Sequence, residues 1–288
     1  MKISIVITAY NKEATLQRAV ESAVGQTWGN IEVILVEDKS TDNTRDIAFG
    51  LAEKYPSVTL LLCGRNIGAG LSRRRGISAS RGDYVLLLDG DDYLKADYVE
   101  ALARRARKEN ADIVTGGISI HKPDGNITEV LYGNKVVTGD DKVVCYFGQT
   151  TMFLNNRLIR RSLYDKVPYS DRRYIEDVPT CVKLLWYANK NCFVENAGYH
   201  YSYNKESLTH TADRFKTHLF KTLCIADLTK FFAKNDAKYL RAFDFEGAYK
   251  IGLKKLLDCN PTEEMVAPYA KEWEELRQFA ESKDYCFT

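Results

Sequence analysis

No run in this chain reaches the roughly 18 consecutive apolar residues that a membrane-spanning helix needs. Met1 leads straight into Lys2-Ile3-Ser4-Ile5-Val6-Ile7-Thr8, too short and too alternating for a signal peptide. The expectation is a protein that is neither exported by a leader nor threaded through a bilayer. No CxxC pair occurs among the seven cysteines at 63, 145, 181, 192, 224, 259 and 286, and their number is odd. That excludes a disulfide framework and a thiolate zinc site as first readings and leaves inert thiols in a reducing cytoplasm. Charge of one sign is also lacking: 41 Lys and Arg face 39 Asp and Glu, for a net +2. So small an excess gives no phosphate-neutralising field, and nucleic acid is not an expected partner. Glycine is missing from Thr8-Ala-Tyr-Asn-Lys-Glu13, where a nicotinamide-binding protein would carry GxGxxG. Gly68-Ala-Gly70 does not replace it, because it follows a later strand and has Arg73 where the third glycine belongs.

What is present is enough apolar residue, 45% against 28% charged in 288 residues, to bury one large core or two packed lobes. Short β-branched runs at Ile3–Thr8, Ile31–Val36, Val58–Leu62, Tyr84–Leu88 and Asp112–Thr115 are nearly continuous in apolar residues, as strands buried on both faces should be. Helical periodicity fills the gaps: Leu16, Ala19, Val20, Ala23 and Val24 lie on one face, with Asn11 expected as N-cap. Asp42 or Thr41 is expected to cap the next helix. The fold class predicted is α/β, a Rossmann-like, mostly parallel sheet flanked by helices with a C-terminal helical extension. After residue 115 the alternation stops. Pro123-Asp-Gly-Asn126 between Ile118-Ser-Ile-His121 and Ile127-Thr-Glu-Val130 predicts a hairpin, and helical periodicity resumes near Thr211 with breaks at Asn235-Asp236 and Asn260-Pro261. Three regions follow: 1–115, 116–210, and 211–288 as the helical extension.

In an open α/β sheet, ligands bind beyond the carboxyl ends of the strands. There the chain places Thr8-Ala-Tyr10-Asn11, Glu37-Asp38-Lys39 and Asp89-Gly90-Asp91-Asp92. Asp38 could accept from a pyrimidine N3–H, Tyr10 could stack on the ring and Thr8 could touch it. Ser40-Thr41-Asp42 reads better as turn and cap chemistry. Asp89 and Asp91, separated by a glycine, suit Mn²⁺ or Mg²⁺ bridging a diphosphate, since hard cations take one or two carboxylates plus phosphate oxygens. Three acidic residues at 89, 91 and 92 would repel one another, a cost that a cation would relieve.

Ser4-Ile-Val-Ile-Thr-Ala-Tyr-Asn11, Val36-Glu-Asp38-Lys-Ser-Thr-Asp-Asn-Thr44, Asn66-Ile-Gly68 and Asp89-Gly-Asp-Asp92 resemble, in order and spacing, the motifs of family 2 inverting glycosyltransferases with the A-type fold. The resemblance runs more loosely to about residue 210 through Asn156-Arg-Leu-Ile-Arg-Arg161 and Glu176-Asp177. It implies a nucleotide-diphospho-sugar donor, probed first as a UDP-sugar, a saccharide or lipid-linked saccharide acceptor, and a role in surface-polysaccharide assembly. By matching positions, Thr8, Tyr10 and Asp38 would hold the base, Arg73 would lie beside the nucleotide, Asp89 would meet ribose or metal-bound water, and Asp91 would bind the metal. Glu37, Lys39 and Ser72 depart from the family pattern and leave the donor open.

Inversion needs a base that deprotonates the acceptor hydroxyl opposite the leaving diphosphate. Asp177 is the candidate, at the start of a helix whose first turn tolerates Pro179. The helix N-terminus would keep it ionised while burial would raise its pKa, and the sequence does not say which prevails. Plain helix capping is the competing reading of Glu176-Asp177. His200 or His210 could add a metal or phosphate contact, although lone histidines are more often structural. Phe215, Phe220, Phe231 and Phe232 interleave with Lys216, Lys221 and Lys230, either as a surface for peripheral contact at the inner face of the membrane or as ordinary core. A nucleotide-sugar-binding protein without turnover and a nucleotidyltransferase remain alternatives.

Overall fold

The computed structural model describes residues 1–143, 154–167, 169, 175–203 and 213–282. Two compact units divide the chain, Met1–Asn204 and Lys205–Thr288.

The first unit is built on one sheet of ten strands among the described residues. In chain order its elements are β1 (Ile3–Ala9), α1 (Leu16–Val24), β2 (Ile31–Glu37), α2 (Thr44–Lys54), β3 (Val58–Leu62), α3 (Ala69–Ala79), β4 (Tyr84–Asp89), β5 (Tyr93–Leu94), α4 (Tyr98–Glu109), β6 (Ile113–His121), β7 (Ile127–Val130), β8 (Val136–Thr138), β9 (Arg157–Arg160), α5 (Leu163–Lys166), α6 (Asp177–Tyr187) and β10 (Lys190–Ser202). The sheet order is β3-β2-β1-β4-β9-β6-β10-β5, with β7 on β6 and β8 on β10. β1, β2, β3 and β4 run parallel, as their helical crossovers require. All seven residues of β1 are buried, which is why its sequence is apolar without alternation. The five strands read from apolar runs occur, and the turn at 123–126 forms the predicted hairpin, pairing Ile118 with Val130 and His121 with Ile127.

β9 was not foreseen. It enters antiparallel between β4 and β6, so that the turn at 154–156 reaches the carboxyl end of β4. β10, likewise absent from the sequence reading, runs parallel to β6 with an irregularity between Val194 and Tyr199. Tyr98, wholly buried in α4, fills the space beside that irregularity. A Cβ at Gly116 would lie 2.4 Å from its hydroxyl oxygen, and one at Gly198 would lie 2.6 Å from its ring. Gly198→Ala is therefore expected to destabilise the unit by about 1–3 kcal/mol through overpacking, read as a lowered midpoint in thermal unfolding; an unchanged midpoint would show that the ring can move aside.

Asn11 does not cap α1, which begins at Leu16 after Thr15. It takes the left-handed conformation, φ 52°, which asparagine tolerates, and its side-chain oxygen accepts from the Thr41 amide at 2.9 Å. The cap expected at Asp42 is made one residue off: Asp42 accepts from the Thr44 amide at 3.0 Å, with Asn43 as the flanking residue.

The second unit contains α7 (Arg214–Asn235), α8 (Lys238–Ala242), α9 (Phe245–Leu257), α10 (Glu263–Val266) and α11 (Ala270–Ser282). Its breaks fall at Asp236 and around Asn260, near the expected positions. Phe215 meets Trp273, Phe220 meets Tyr269, and Phe232 packs on Tyr239 and Phe245. These rings are internal packing of the unit, not an outward apolar face. Among the described residues no helix is long and apolar enough to cross a membrane.

Candidate active site

Parallel pairing brings the carboxyl ends of β1, β2 and β4 to one edge. Thr8 lies opposite Asp89 in register, and the Asp38 amide donates to the Ala9 carbonyl at 2.9 Å. Thr8, Asp38 and Asp89 thus meet at the point where the strand order reverses, the crevice in which such sheets bind ligands. Tyr10 stands on this rim, 42% exposed, with a ring face available to a planar ligand.

Asp38 is buried, and its carboxylate is already engaged. One oxygen accepts from the Ile67 amide and the other from the Gly68 amide, each at 2.8 Å. Gly68 has φ 87° and ψ 161°, a conformation in effect restricted to glycine, and it leads into α3. Asp38 therefore locks the loop after β3 against the end of β2. Each carboxylate oxygen keeps a further lone pair for a ligand N–H. Its neighbour Glu37 turns back to accept from the Ser40 amide at 2.5 Å, while Lys39 takes φ 60°.

Each acid of the loop also has a partner from the protein itself. Asp89 accepts from Arg73 Nη2 at 2.7 Å and from Asn155 Nδ2 at 2.8 Å. Burial pushes its carboxyl up, but Arg73 and Asn155 outweigh burial and hold it below the ordinary value. Asp91 is paired with Lys12 Nζ, and its carbonyl accepts from Arg18 at 2.8 Å. Asp92 is buried and accepts from the Tyr199 hydroxyl at 2.6 Å and the Ser202 amide at 2.9 Å. Burial, and next the charges of Asp89 and Asp91, raise it well above the usual carboxylate range, which marks it as a structural acid that ties β10 to the loop. The glycine between the acids has its own cause: a Cβ at Gly90 would come within 3.0 Å of the Thr8 carbonyl.

Arg73 is buried in α3, and both terminal nitrogens are committed, Nη2 to Asp89 and Nη1 to Glu176, with the Tyr169 hydroxyl 3.3 Å from Nη1. Burial works against its charge, yet Asp89, Tyr169 and Glu176 prevail and the guanidinium holds its proton more firmly than usual. Glu176 is buried just before α6, and burial raises its carboxyl to about 7 against the pull of Arg73. Asp177, half-buried, is the first residue of α6, and its Oδ1 accepts from the Val178 amide at 2.9 Å. The contest left open by the sequence is decided here. Burial raises Asp177 above the usual aspartate value, and neither Arg73 nor the helix-start amides cancel that rise. Ile175, immediately before this pair, has φ 54°, a costly conformation for a β-branched residue of the kind that persists at functional sites.

The metal-ligand candidates are Asp91 and Asp89. Among the described residues no three His, Cys, Asp or Glu side chains converge on a common point. A cation held mainly by substrate phosphates asks for one or two carboxylates; Asp91 is paired with Lys12, and both Asp89 oxygens accept from Arg73 and Asn155. The His200 ring stacks on Tyr93 at 4.4 Å and its Nδ1 lies 2.9 Å from His121 Nε2. His210 lies outside the described residues. Lys12, Asn155, Tyr169 and Tyr199 were not singled out from the sequence, and nothing in their local sequence marks them.

An α/β sheet of this topology, with its acids at the carboxyl edge, is the A-type glycosyltransferase fold. The same fold is found in the crystal structure of S. aureus TarS 1–349 in complex with UDP-GlcNAc, which matches with a TM-score of 0.68 at 18% identity over 99% of this chain and 88% of that one. The chain belongs to glycosyl transferase family 2, whose profile matches residues 4–168. Among its relatives are glycosyltransferase GlyG of Streptococcus pneumoniae serotype 4, 27% identical over 99% of this chain and 94% of that protein, and the cholesterol galactosyltransferase of Borreliella burgdorferi, 31% identical over 69% and 59% respectively.

Proposed function

We propose that this glycosyltransferase moves a sugar from a UDP-linked donor to an acceptor hydroxyl with inversion, and that Asp177 is the base. The observation that carries the reading is a carboxylate of raised pKa at the start of α6, tied through Glu176 and Arg73 to Asp89 at the end of β4. A base working near neutral pH benefits from such a shift. The UDP-GlcNAc in the TarS structure supports the donor class.

Tyr10 would stack on the base, and Thr8 and Asp38 would meet its edge, Asp38 through a lone pair not spent on Ile67 and Gly68. Asp89 would contact ribose or a metal-bound water. Asp91 would hold Mn²⁺ or Mg²⁺, which supplies Lewis-acid stabilisation to the leaving diphosphate. Lys12, released from Asp91, would place its ammonium beside the same phosphates. Asp177 would take the proton of the acceptor hydroxyl. Arg73, with both terminal nitrogens bound to carboxylates, acts on the nucleotide chiefly through Asp89.

Surface saccharide or lipid-linked saccharide is the proposed acceptor class, with action at the cytoplasmic face of the membrane. The sterol in the name of the Borreliella relative marks the competing acceptor class. A panel of UDP-, GDP- and CDP-sugars tests the donor: UDP release from at least one UDP-sugar is expected, and turnover confined to another nucleotide would overturn the UDP assignment.

A further inference from the structure

A buried chain of polar side chains runs from the acidic loop to the start of α6. Tyr199 donates to Asp92 at 2.6 Å; Asn155 Nδ2 lies 3.2 Å from the Tyr199 hydroxyl and 2.8 Å from Asp89 Oδ2. Asp89 Oδ1 then accepts from Arg73 Nη2 at 2.7 Å, and Arg73 Nη1 donates to Glu176. Asn155 is 8% exposed and sits on the turn that β9 delivers to the end of β4. Its amide orientation is dictated by its neighbours, because the opposite flip would press the amide oxygen against the Asp89 carboxylate.

We propose that Asn155 is a positioning residue of the transfer reaction: by occupying Asp89 Oδ2 it restricts Asp89 to Nη2 of Arg73 and keeps the guanidinium turned so that Nη1 meets Glu176, which fixes the start of α6 and with it Asp177. This rests on Asp177 being the base. An aspartate free of Asn155 has both oxygens available to the same guanidinium, and arginine–carboxylate pairs favour the bidentate fork. That fork would take Nη2 and the unpartnered Nε of Arg73, turning the guanidinium so that its Nη1 contact to Glu176, one residue before the base, weakens. A neutral amide suits the task because it satisfies Asp89 without adding a second positive charge that would compete with Arg73. Nothing else reaches Asp89 Oδ2 among the hydrogen bonds of the described residues.

The test is a cycle of Asn155→Leu, Glu176→Gln and the double variant in the full chain, reading kcat for a UDP-sugar, UDP affinity and the unfolding midpoint. Asn155→Leu is expected to lower kcat by roughly 10²-fold, the scale of a misplaced reacting group, with UDP affinity reduced far less because only its Asp89 contact is disturbed. In the double variant kcat should fall little below that of Glu176→Gln alone, since both changes weaken the same Arg73–Glu176 contact. Multiplicative losses in the double variant, or wild-type kcat in Asn155→Leu, would overturn the proposal. Should Asn155→Leu fail to fold, Asn155→Ser enters the same cycle with the same expectations. A wild type that turns over no UDP-sugar would instead overturn the donor reading on which this rests.

Discussion

Asp177→Asn is expected to lower kcat for sugar transfer by roughly 10²–10⁴-fold, the usual contribution of a positioned general base, while UDP still binds as in the wild type. Asparagine keeps the shape and can still accept from the Val178 amide, so helix capping survives and only proton acceptance is lost. That separates the two uses of an acidic residue at a helix start. If Asp177 merely capped α6, the substitution would leave kcat near wild type. The pH profile adds an independent reading. Burial raises Asp177, so the acidic limb of kcat should lie above the ordinary aspartate value of 3.8, with rate lost as pH falls and the base is protonated. The charge of Asp89 adds to that rise, so Asp89→Asn should move that limb to lower pH. A limb that stays in place would remove Asp177 as the titrating group.

Arg73→Met should be the most destabilising single change in the site, by about 3–5 kcal/mol, because it strands Asp89 and Glu176 without their shared cation. For a unit of this size that amounts to a fall of about 6–20 °C in the unfolding midpoint. Arg73→Lys should recover only part of it, since an ammonium cannot present a planar fork to two carboxylates. The sign of the pH dependence follows from Glu176, whose carboxyl rises from 4.5 to about 7 on folding. A group that binds its proton more tightly in the native state contributes stability that is fully present in acid below 4.5 and is lost as pH rises through about 7. With Arg73 removed, Glu176 and Asp89 can escape the penalty by protonation, so the defect should be smaller near pH 5 than near pH 8. A pH-independent defect would mean that packing, not charge, accounts for the loss.

Much of the donor half could be read from the chain because its signals are local. Val85–Leu88 is apolar enough to declare a buried strand, and Asp89-Gly90-Asp91 follows it directly, so the acids had to emerge at the strand end. Glu176-Asp177 before Val182, Leu185 and Trp186 likewise announced a helix start. The partners of these residues could not be read, because they lie far away in the chain. Arg73 and Glu176 are 103 residues apart, Asp89 and Asn155 66, and Asp92 and Tyr199 107. Only the insertion of β9, a four-residue strand with arginine at both ends, brings Asn155 to Asp89. Charges counted along the sequence therefore showed the repulsion that a cation would relieve but not the partners the folded chain also supplies, Arg73, Lys12 and the Tyr199 hydroxyl.

Calorimetric titration of UDP into the wild type and Asp91→Ala, each with and without Mn²⁺, tests the central claim most directly. Saturable UDP binding that Mn²⁺ strengthens in the wild type, with that strengthening lost in Asp91→Ala, is the predicted result. Absence of UDP binding by the wild type in either condition would contradict the account.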